Sequence, residues 1–287
     1  MGLLKKLFDS IPLRDSIEII LVDNSPNKIS KSEVDTDREF TLLYSDPQKG
    51  AGGARNAGIE YSNGKWLIFA DADDYFTSGA FDIFYSKIES DSDIIYTGMG
   101  GIYLDTGEPA NRGDEYAMMV RDYLQGNVTE DFIKYRFFTP CCKMIKHDLV
   151  NSHNIRFDEV LAGNDVYFSM LCGHYSNRIE AIDAITYIAT VSKGTLTKRR
   201  DINVIESRFL VALRYNKFLR KQGMSRYQIS IIHYVQNANK CGFKYLIRFV
   251  FLLIKYMQNP FVGYKNWLKT ASEVKIRNKK DRKYFVR

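Results

Sequence analysis

The sequence predicts an α/β fold, with a mostly parallel sheet flanked by helices and a helical region after it. The first half of the chain alternates short β-branched runs with amphipathic stretches, which is typical of parallel sheets. The predicted strands are residues 17–22, 40–44, 66–70 and 94–97, and the helices between them are residues 54–61 and 80–89. Asp23 and Asp71 directly follow two of these strands. Because ligands bind beyond the carboxyl ends of such strands, the two carboxylates mark a candidate site.

The composition is that of an ordinary globular protein. The chain has 287 residues, of which 45 % are hydrophobic and 26 % charged, which excludes a wholly disordered chain and a coiled-coil rod. Four cysteines are too few for a disulfide scaffold and indicate reduced thiols in a cytoplasmic protein. No apolar run reaches the ~18 residues of a membrane span, and the first residues are too charged for a secretory signal. We therefore expect neither a membrane span nor a secretory signal.

The net charge of +7 conceals two regions of opposite sign. Residues 1–197 contain 19 Lys and Arg against 30 Asp and Glu, a net charge of −11, whereas residues 198–287 contain 22 against 4, a net charge of +18. An acidic region can hold a metal ion, and a basic region can lie on an anionic surface. The pattern predicts a first domain of residues 1–198 and a basic, aromatic-rich helical region of residues 199–287.

The basic region contains two predicted helices, residues 204–222 and 242–257. The second reads GFKYLIRFVFLLIKYM, and its longest unbroken apolar run, residues 249–254, is far too short to span a membrane. Lysine and arginine spaced among aromatic residues are typical of a helix in the bilayer interface. A helix packed on the protein body, with its lysines reaching solvent, fits the pattern equally well. No nucleic-acid motif accompanies the positive charge, so we expect no nucleic-acid partner.

Three aspartates in four residues follow the predicted strand WLIFA, in the sequence Asp71-Ala72-Asp73-Asp74. Carboxylates at positions i and i+2, where a strand opens into a loop, can reach one hard cation together. Mg²⁺ or Mn²⁺ held in this way keeps coordination positions that substrate phosphates can fill. An acidic turn without a cation is the alternative interpretation.

A glycine-rich segment, GAGGARNAG at residues 50–58, opens a predicted helix. Backbone N–H groups at the positive end of a helix suit a phosphate. The segment is not a P-loop, since no Gly-Lys-Ser/Thr follows, and it is not the dinucleotide fingerprint, since Arg55 stands where the third glycine belongs. Tight packing at the start of the helix explains the glycines equally well.

These segments together resemble the family 2 inverting glycosyltransferases of the GT-A fold. The resemblance runs over residues 3–198 and rests on the order and spacing of the motifs as well as on each motif. The motifs are LVDNS (21–25), GAGGARNAG (50–58), FADADDYF (69–76), CKMIK (142–146), IRFDE (155–159) and GNDVYF (163–168). The resemblance implies a Rossmann-like domain that transfers a sugar from a nucleotide-sugar donor to a glycan or lipid-linked acceptor, in the biosynthesis of a bacterial surface polysaccharide.

The resemblance also implies a role for each matching residue. Asp23, Asn24, Arg55, Asp71 and Ala72 would bind the nucleotide-sugar. Asp71 and Asp73 would bind the divalent metal, Mn²⁺ or Mg²⁺. Asp165 would be the catalytic base. In an inverting transfer a carboxylate deprotonates the acceptor hydroxyl while a metal offsets the charge on the leaving diphosphate. These residues would supply both groups. Taken alone, Asp165 also fits a helix N-terminal residue that the helix dipole stabilises.

The chain departs from the family's pattern at two places. Asn164 stands where the family usually has a Glu before the catalytic Asp, which removes a negative charge beside Asp165. The family also begins with a strand that ends in Pro-x-Tyr/Phe-Asn, whereas residues 3–11 here read as the helix that follows that strand. We therefore expect either a start that was placed too late or a truncated relative. Residues 193–197, KGTLT, stand where relatives carry a basic-Gly-Ser segment near the acceptor or diphosphate.

Two alternatives stay open at this point. A phosphotransferase of the haloacid dehalogenase type also places D-x-D after an apolar strand, but it has Thr or Val two positions after the second Asp, where this chain has Tyr75. A degenerate transferase would bind a partner or glycan without turnover. For an active transferase the expected location is the cytoplasm, with the basic region on the inner face of the cell membrane.

Overall fold

The computed structural model describes residues 2–192 and 201–263. The chain forms two compact units, Met1–Arg199 and Arg200–Arg287, and each has a hydrophobic core of its own. The predicted boundary between residues 198 and 199 and the KGTLT segment at residues 193–197 lie outside the described residues.

The described part of the first unit alternates strands and helices along the chain. The strands are β1 (Ile20–Asp23), β2 (Thr41–Tyr44), β3 (Trp66–Leu67), β4 (Tyr75–Phe76), β5 (Ile94–Tyr103), β6 (Lys143–Lys146) and β7 (Ile179–Val191). The helices are α1 (Gly2–Ser10), α2 (Gly50–Tyr61), α3 (Ala80–Ser86), α4 (Asp114–Leu124), α5 (Glu130–Arg136), α6 (His147–Ser152) and α7 (Asn164–Tyr175). The predicted helices of residues 3–11, 54–61 and 80–89 thus correspond to α1, α2 and α3.

The strands form two sheets. β1 and β2 pair in parallel, and five strands form a larger sheet in the order β3-β6-β5-β7-β4. In the larger sheet β5 and β7 are parallel, whereas β6 is antiparallel to β3 and β5, and β4 is antiparallel to β7. Helix α4 packs against β5 and β7, and α2 packs against β1. The predicted α/β fold is confirmed, and its sheet is mixed rather than mostly parallel.

The antiparallel strand β6 comes from the part of the chain where the sequence pattern is least regular. It has four residues, Lys143–Lys146, of which the first three are buried. Side chains alternate across a sheet in the same way for either strand direction. The pattern can therefore indicate a strand but not its direction, which follows from the path of the chain through α5 and the turn before β6.

Strand lengths differ from the prediction because a strand extends only as far as its partners do. Residues 17–22 give β1 from Ile20 onward, where the ladder with Thr41 of β2 begins. Of the predicted strand at residues 66–70, only the two residues of β3 form a strand, and they pair with the end of β6. In contrast, β5 runs well beyond residues 94–97, since β7 pairs with it as far as Tyr103.

The second unit is helical in its described part, as the sequence predicts. Its helices are α8 (Ile202–Lys221), α9 (Ile232–Cys241) and α10 (Phe243–Lys255). Phe209 of α8 and Phe249 of α10 are fully buried and stack with their ring centroids 4.4 Å apart. One face of α10 therefore packs in the core of the second unit, which does not decide between the two interpretations of residues 242–257. Within residues 2–192 and 201–263, no helix combines the length and the apolar character of a membrane span.

Candidate active site

The aspartate-rich turn between β3 and β4 is held against β7. Asp74 is buried, and its carboxylate accepts hydrogen bonds from the backbone N–H of Thr190 at 2.7 Å and from the Tyr187 hydroxyl at 3.0 Å. The Tyr187 hydroxyl in turn accepts the backbone N–H of Asp71 at 2.8 Å. The Thr190 hydroxyl donates to the backbone carbonyl of Asp73 at 2.9 Å. β7 thus fixes the turn that carries Asp71 and Asp73.

The three aspartates of the turn form a compact set of oxygen donors. One carboxylate oxygen from each of Asp71, Asp73 and Asp74 lies within 4.8 Å of the others. Burial, together with the charges of Asp71 and Asp73, raises the pKa of Asp74 to about 7 despite the hydrogen bond from Thr190. Carboxylates that repel one another in this way favour a cation between them. Oxygen donors of this kind fit Mg²⁺ or Mn²⁺.

The three carboxylates differ in how they are engaged. Asp73 is exposed and Asp71 is half-buried, whereas both oxygens of Asp74 accept hydrogen bonds from β7. Asp71 and Asp73 are therefore the residues suited to contact a cation, and Asp74 is suited to hold the turn in place.

Arg55 of α2 joins the aspartate-rich turn to the start of α7. Its guanidinium donates to Asp71 Oδ1 at 2.5 Å and to Asn164 Oδ1 at 2.9 Å, and it lies 5.3 Å from the centroid of the Phe157 ring. Burial acts to lower the pKa of Arg55, but the negative charges of Asp71 and Asp165 outweigh it and raise that pKa. The Arg55 side chain therefore stays positively charged and bridges two parts of the site. Residue spacing alone did not indicate this bridge.

The glycine-rich start of α2 packs closely on the loop that leads into α7. A Cβ on Gly52 would lie 2.1 Å from the carbonyl oxygen of Asp158, so this approach requires glycine. Asn56 fastens the same loop, since its amide donates to the Phe157 carbonyl at 3.0 Å and its side-chain oxygen accepts the Phe157 N–H at 2.8 Å. Tight packing thus explains Gly52, and binding of a phosphate at this helix end stays a prediction.

Asp165 lies in the first turn of α7, two residues after Gly163, whose φ of 82° suits glycine. Burial raises the pKa of Asp165, while the charge of Arg55 and its own backbone N–H offset part of the rise. A raised pKa makes a carboxylate a better proton acceptor near neutral pH. Asn164 serves as an acceptor for Arg55 and adds no negative charge beside Asp165.

A buried lysine adds a second cation near Asp165. Lys143 of β6 is almost completely buried, and its Nζ donates to the Phe137 carbonyl at 2.7 Å and lies 5.3 Å from the Tyr96 ring centroid. Burial lowers the pKa of Lys143 to about 8, against the effect of nearby acidic groups that include Asp165. The two side chains are therefore close enough to influence each other's protonation.

Asp23, at the end of β1, organises the loop that follows it. Its carboxylate accepts the backbone N–H groups of Ser25 at 2.8 Å and Ile29 at 2.9 Å. Burial acts to raise the pKa of Asp23, but these hydrogen bonds and the charge of Lys28 lower it below its ordinary value. Within the described residues, no hydrogen bond or ion pair joins Asp23 or Asn24 to Arg55 or to the aspartate-rich turn. Their role in nucleotide binding stays a prediction.

The structure therefore brings together most of the predicted site residues. Asp71, Ala72 and Asp73 share one turn, Arg55 contacts that turn, and Asp165 interacts electrostatically with both Arg55 and Asp71.

Sequence reasoning missed the residues that support this site: Asp74, Lys143, Asn56, Tyr187 and Thr190. Asp74 and Lys143 stand inside motifs that were recognised, so their burial was the missing information. Tyr187 and Thr190 lie in an ordinary β-branched strand and carry no local signal.

A family model agrees with this geometry. The model described as glycosyl transferase family 2 matches residues 2–153. The chain belongs to glycosyl transferase family 2. The matched residues include Arg55 and the aspartate-rich turn, whereas Asp165 lies beyond them.

Curated relatives are similar over part of their length. The glycosyltransferase GlyG of Streptococcus pneumoniae serotype 4 is 25 % identical over 162 residues, which cover 50 % of this chain and 53 % of the relative. The minor teichoic acid biosynthesis protein GgaB of Bacillus subtilis is 29 % identical over 153 residues, which cover 50 % of this chain and 16 % of the relative. The similarity to this family 2 chain thus spans about half of GlyG and much less of GgaB.

Solved structures share the fold. S. aureus TarS 1–349 in complex with UDP-GlcNAc superposes with a TM-score of 0.56 at 17 % identity, over 84 % of this family 2 chain and 70 % of that chain. The mannosyltransferase PcManGT from Pyrobaculum calidifontis, in complex with GDP-Man and Mn²⁺, gives a TM-score of 0.51 at 14 % identity, over 93 % and 78 % of the two chains. These likenesses confirm the GT-A-like α/β fold.

Proposed function

We propose that this chain is an inverting glycosyltransferase that moves a sugar from a nucleotide-sugar donor to a hydroxyl group of a glycan or lipid-linked acceptor. The observation that carries the proposal is the Arg55 bridge from Asp71 of the D-x-D motif to Asn164 beside Asp165. The Arg55 guanidinium links the turn that is suited to hold a cation with the residue beside the candidate base. An inverting transfer needs both a cation and a base. The family assignment supports glycosyl transfer over the phosphotransferase alternative.

On the donor side, Asp71 and Asp73 would hold a divalent cation, Mn²⁺ or Mg²⁺. A cation bound there would offset the negative charge that develops on the leaving diphosphate. The proposal is supported by the compact oxygen donors of the turn and by the Mn²⁺ and GDP-Man in the structure of the mannosyltransferase. Nucleotide-sugar binding by Asp23, Asn24, Arg55, Asp71 and Ala72 is part of the same proposal.

On the acceptor side, Asp165 would act as the general base. Its carboxylate would take the proton of the acceptor hydroxyl as that oxygen attacks the anomeric carbon, and the bond from that carbon to the diphosphate would break with inversion. The raised pKa of Asp165, which burial causes, favours the proton transfer, and the positive charges of Arg55 and Lys143 offset part of that rise.

The product we propose is a bacterial surface polysaccharide, made in the cytoplasm at the inner face of the cell membrane. The printed name of GgaB, which refers to minor teichoic acid biosynthesis, supports this class of product. The basic charge of residues 198–287 supports a location at an anionic surface.

Thermal unfolding with a panel of nucleoside diphosphates, in Mn²⁺ and in EDTA, tests the donor site. A ligand that binds only the folded chain stabilises it by about RT ln(1 + [L]/Kd), or about 2.7 kcal/mol at 100 times Kd. We expect one nucleotide to raise the melting temperature in Mn²⁺ only. Asp73→Ala should abolish the shift, whereas Asp37→Ala, which removes another exposed aspartate, should preserve it.

Two results would contradict the proposal. If no nucleotide stabilises the protein, the chain does not bind a nucleotide-sugar donor, and a degenerate binding protein becomes the better interpretation. If a nucleotide stabilises Asp73→Ala as strongly as the wild type, the aspartate-rich turn is not the metal site.

A further inference from the structure

Among residues 201–263 of the second unit, helix α10 has two apolar faces, of which the core covers only one. Its inner face packs on α8 through the buried Phe249, which stacks on Phe209. The opposite side, here called the outer face of α10, is formed by five large apolar residues with helical spacing. These residues are Phe243, Ile247, Val250, Phe251 and Ile254.

The outer face of α10 is exposed to an unusual degree. Phe243 and Ile254 each have 71 % of their surface accessible, and Phe251 has 63 %. Beyond the helix, Met257 and Phe261 are also exposed. Single exposed apolar residues are normal on a protein, but a contiguous exposed series marks an interaction surface.

Positive charges accompany this surface. Lys244, Arg248 and Lys255 are exposed and, at 100° per residue, lie along one flank of the outer face. Arg248 is also paired with Glu206 of α8 at 2.6 Å, so its guanidinium is held beside the helix. Residues 201–263 contain ten Lys and Arg against two Asp and Glu. The surroundings of the apolar face therefore favour a negatively charged partner.

We propose that the outer face of α10 docks on a lipid bilayer that contains anionic lipids. Its apolar side chains would enter the boundary between headgroups and acyl chains, while Lys244 and Lys255 would meet lipid phosphates. A second copy of the chain fits less well, because residues 201–263 of each copy carry ten Lys and Arg against two Asp and Glu and would repel each other. The proposal rests on the membrane location proposed above and deepens it by naming the surface that makes the contact, and its evidence comes from the second unit alone.

Sedimentation of the full chain with vesicles tests this docking. Vesicles rich in phosphatidylglycerol are compared with vesicles of phosphatidylcholine alone, at low and at high salt. We expect binding to the anionic vesicles that weakens with salt. Phe251→Gln/Ile254→Gln should lower the partition coefficient about tenfold or more, because two large apolar side chains no longer enter the interface. Glutamine keeps the helix propensity high.

Matched controls separate docking from general effects of substitution. Leu13→Gln/Leu124→Gln removes two exposed leucines of the first unit, and it should leave vesicle binding unchanged. Lys244→Gln/Lys255→Gln should weaken binding to anionic vesicles about tenfold or more, at about 1 kcal/mol per cation, whereas Lys5→Gln/Lys65→Gln should not.

The proposal is overturned if the chain binds neither kind of vesicle, or if it binds both equally. It is also overturned if sedimentation without lipid shows a dimer that Phe251→Gln/Ile254→Gln dissociates, since a second copy would then cover the face. Each variant is also tested for stabilisation by nucleoside diphosphates, so that loss of docking and loss of donor binding are read separately.

Discussion

At the scale of single residues, the proposed site depends most on the hydrogen bonds of Arg55. Its two hydrogen bonds, to Asp71 and Asn164, use the planar fork of a guanidinium, which a lysine ammonium does not reproduce. We expect Arg55→Lys to lower kcat/KM about tenfold or more, because a hydrogen bond to a charged group contributes roughly 1.5–3 kcal/mol. Steady-state sugar transfer measures this effect.

Arg156→Lys is the matched control for Arg55→Lys. Arg156 is a partly exposed arginine whose ion pair with Glu60 is long, at 4.0 Å. The control should retain full activity. Equal activity of both variants would show that the bridge from α2 to α7 does not position the reacting groups.

Asp165→Asn tests the assignment of the base. General base catalysis typically contributes about 10²–10⁴ in rate, so we expect kcat to fall by that factor while the nucleoside diphosphate still stabilises the protein. Asp148→Asn is a close control, because Asp148 is an exposed carboxylate in the first turn of another helix, α6. If both variants lose a little stability and no activity, Asp165 only interacts with its helix dipole.

At the scale of elements, the contact between α2 and the loop before α7 sets the geometry of the site. Gly52→Ala would place a Cβ 2.1 Å from the Asp158 carbonyl oxygen, so helix or loop has to move. We expect a loss of about 1–3 kcal/mol in the free energy of unfolding, as for other overpacked sites, together with a fall in kcat. Denaturant unfolding and steady-state kinetics measure the two effects.

Gly58→Ala, on the same helix, provides the control for Gly52→Ala. Its added Cβ would lie 3.7 Å from the nearest atom, Val22 Cγ2, which is an ordinary contact. Since alanine is the better helix former by roughly 0.5–1 kcal/mol, Gly58→Ala should be neutral or stabilising. A similar loss of stability in both variants would mean that the close approach of Gly52 is not the cause.

The elements also show how far periodicity predicts this fold. Residues 54–61 and 80–89, predicted from the spacing of apolar residues, correspond to α2 and to α3, which ends at Ser86. Residues 3–11, predicted from the resemblance, correspond to α1. The sequence did not predict β4 or β6, because YF and KMIK are too short and lack the β-branched runs that indicated β1 and β2. The sequence also did not indicate which residues of β7 hold Asp71 and Asp74, because the hydrogen-bond partners are more than a hundred positions apart.

At the scale of the whole molecule, the free energy of unfolding should depend on pH through shifted carboxylates. Asp74 has an ordinary pKa of 3.8 and a folded pKa of about 7. The folded chain then holds a proton that the unfolded chain has released, so this group makes stability fall as pH rises from about 4 to about 7. Asp165, whose pKa is also raised, acts in the same direction.

Glu180 acts in the opposite direction and at lower pH. Its pKa is lowered from 4.5 to about 2 by hydrogen bonds from Lys87, Ser90 and Ser92, and by the charge of Lys87, against the effect of burial. Its contribution to stability is therefore present above about pH 4.5 and is lost as pH falls toward 2.

Burial lowers the pKa of His174 and His233, which between pH 4.5 and 7 makes stability rise with pH and opposes Asp74 and Asp165. Asp74, whose pKa rises from 3.8 to about 7, should dominate this window.

Denaturant unfolding between pH 4.5 and 8 in EDTA tests this dependence. We expect the wild type to lose stability across the window and Asp74→Asn to lose less. Mn²⁺ should reduce the loss in the wild type, because the cation favours the ionised carboxylates. Asp37→Asn should follow the wild type. Identical pH profiles for wild type and Asp74→Asn would contradict a raised pKa of Asp74.

The sequence by itself determined the α/β class, the helices and the two regions of opposite charge. It also supported the family, through motifs whose order and spacing are local properties of the chain. Only the tertiary structure decided that the sheet is mixed, that Arg55 bridges Asp71 and Asn164, and that α10 keeps one apolar face exposed. The physical reason is that strand direction, burial and hydrogen-bond partners depend on residues far apart in sequence, which no spacing within a motif encodes.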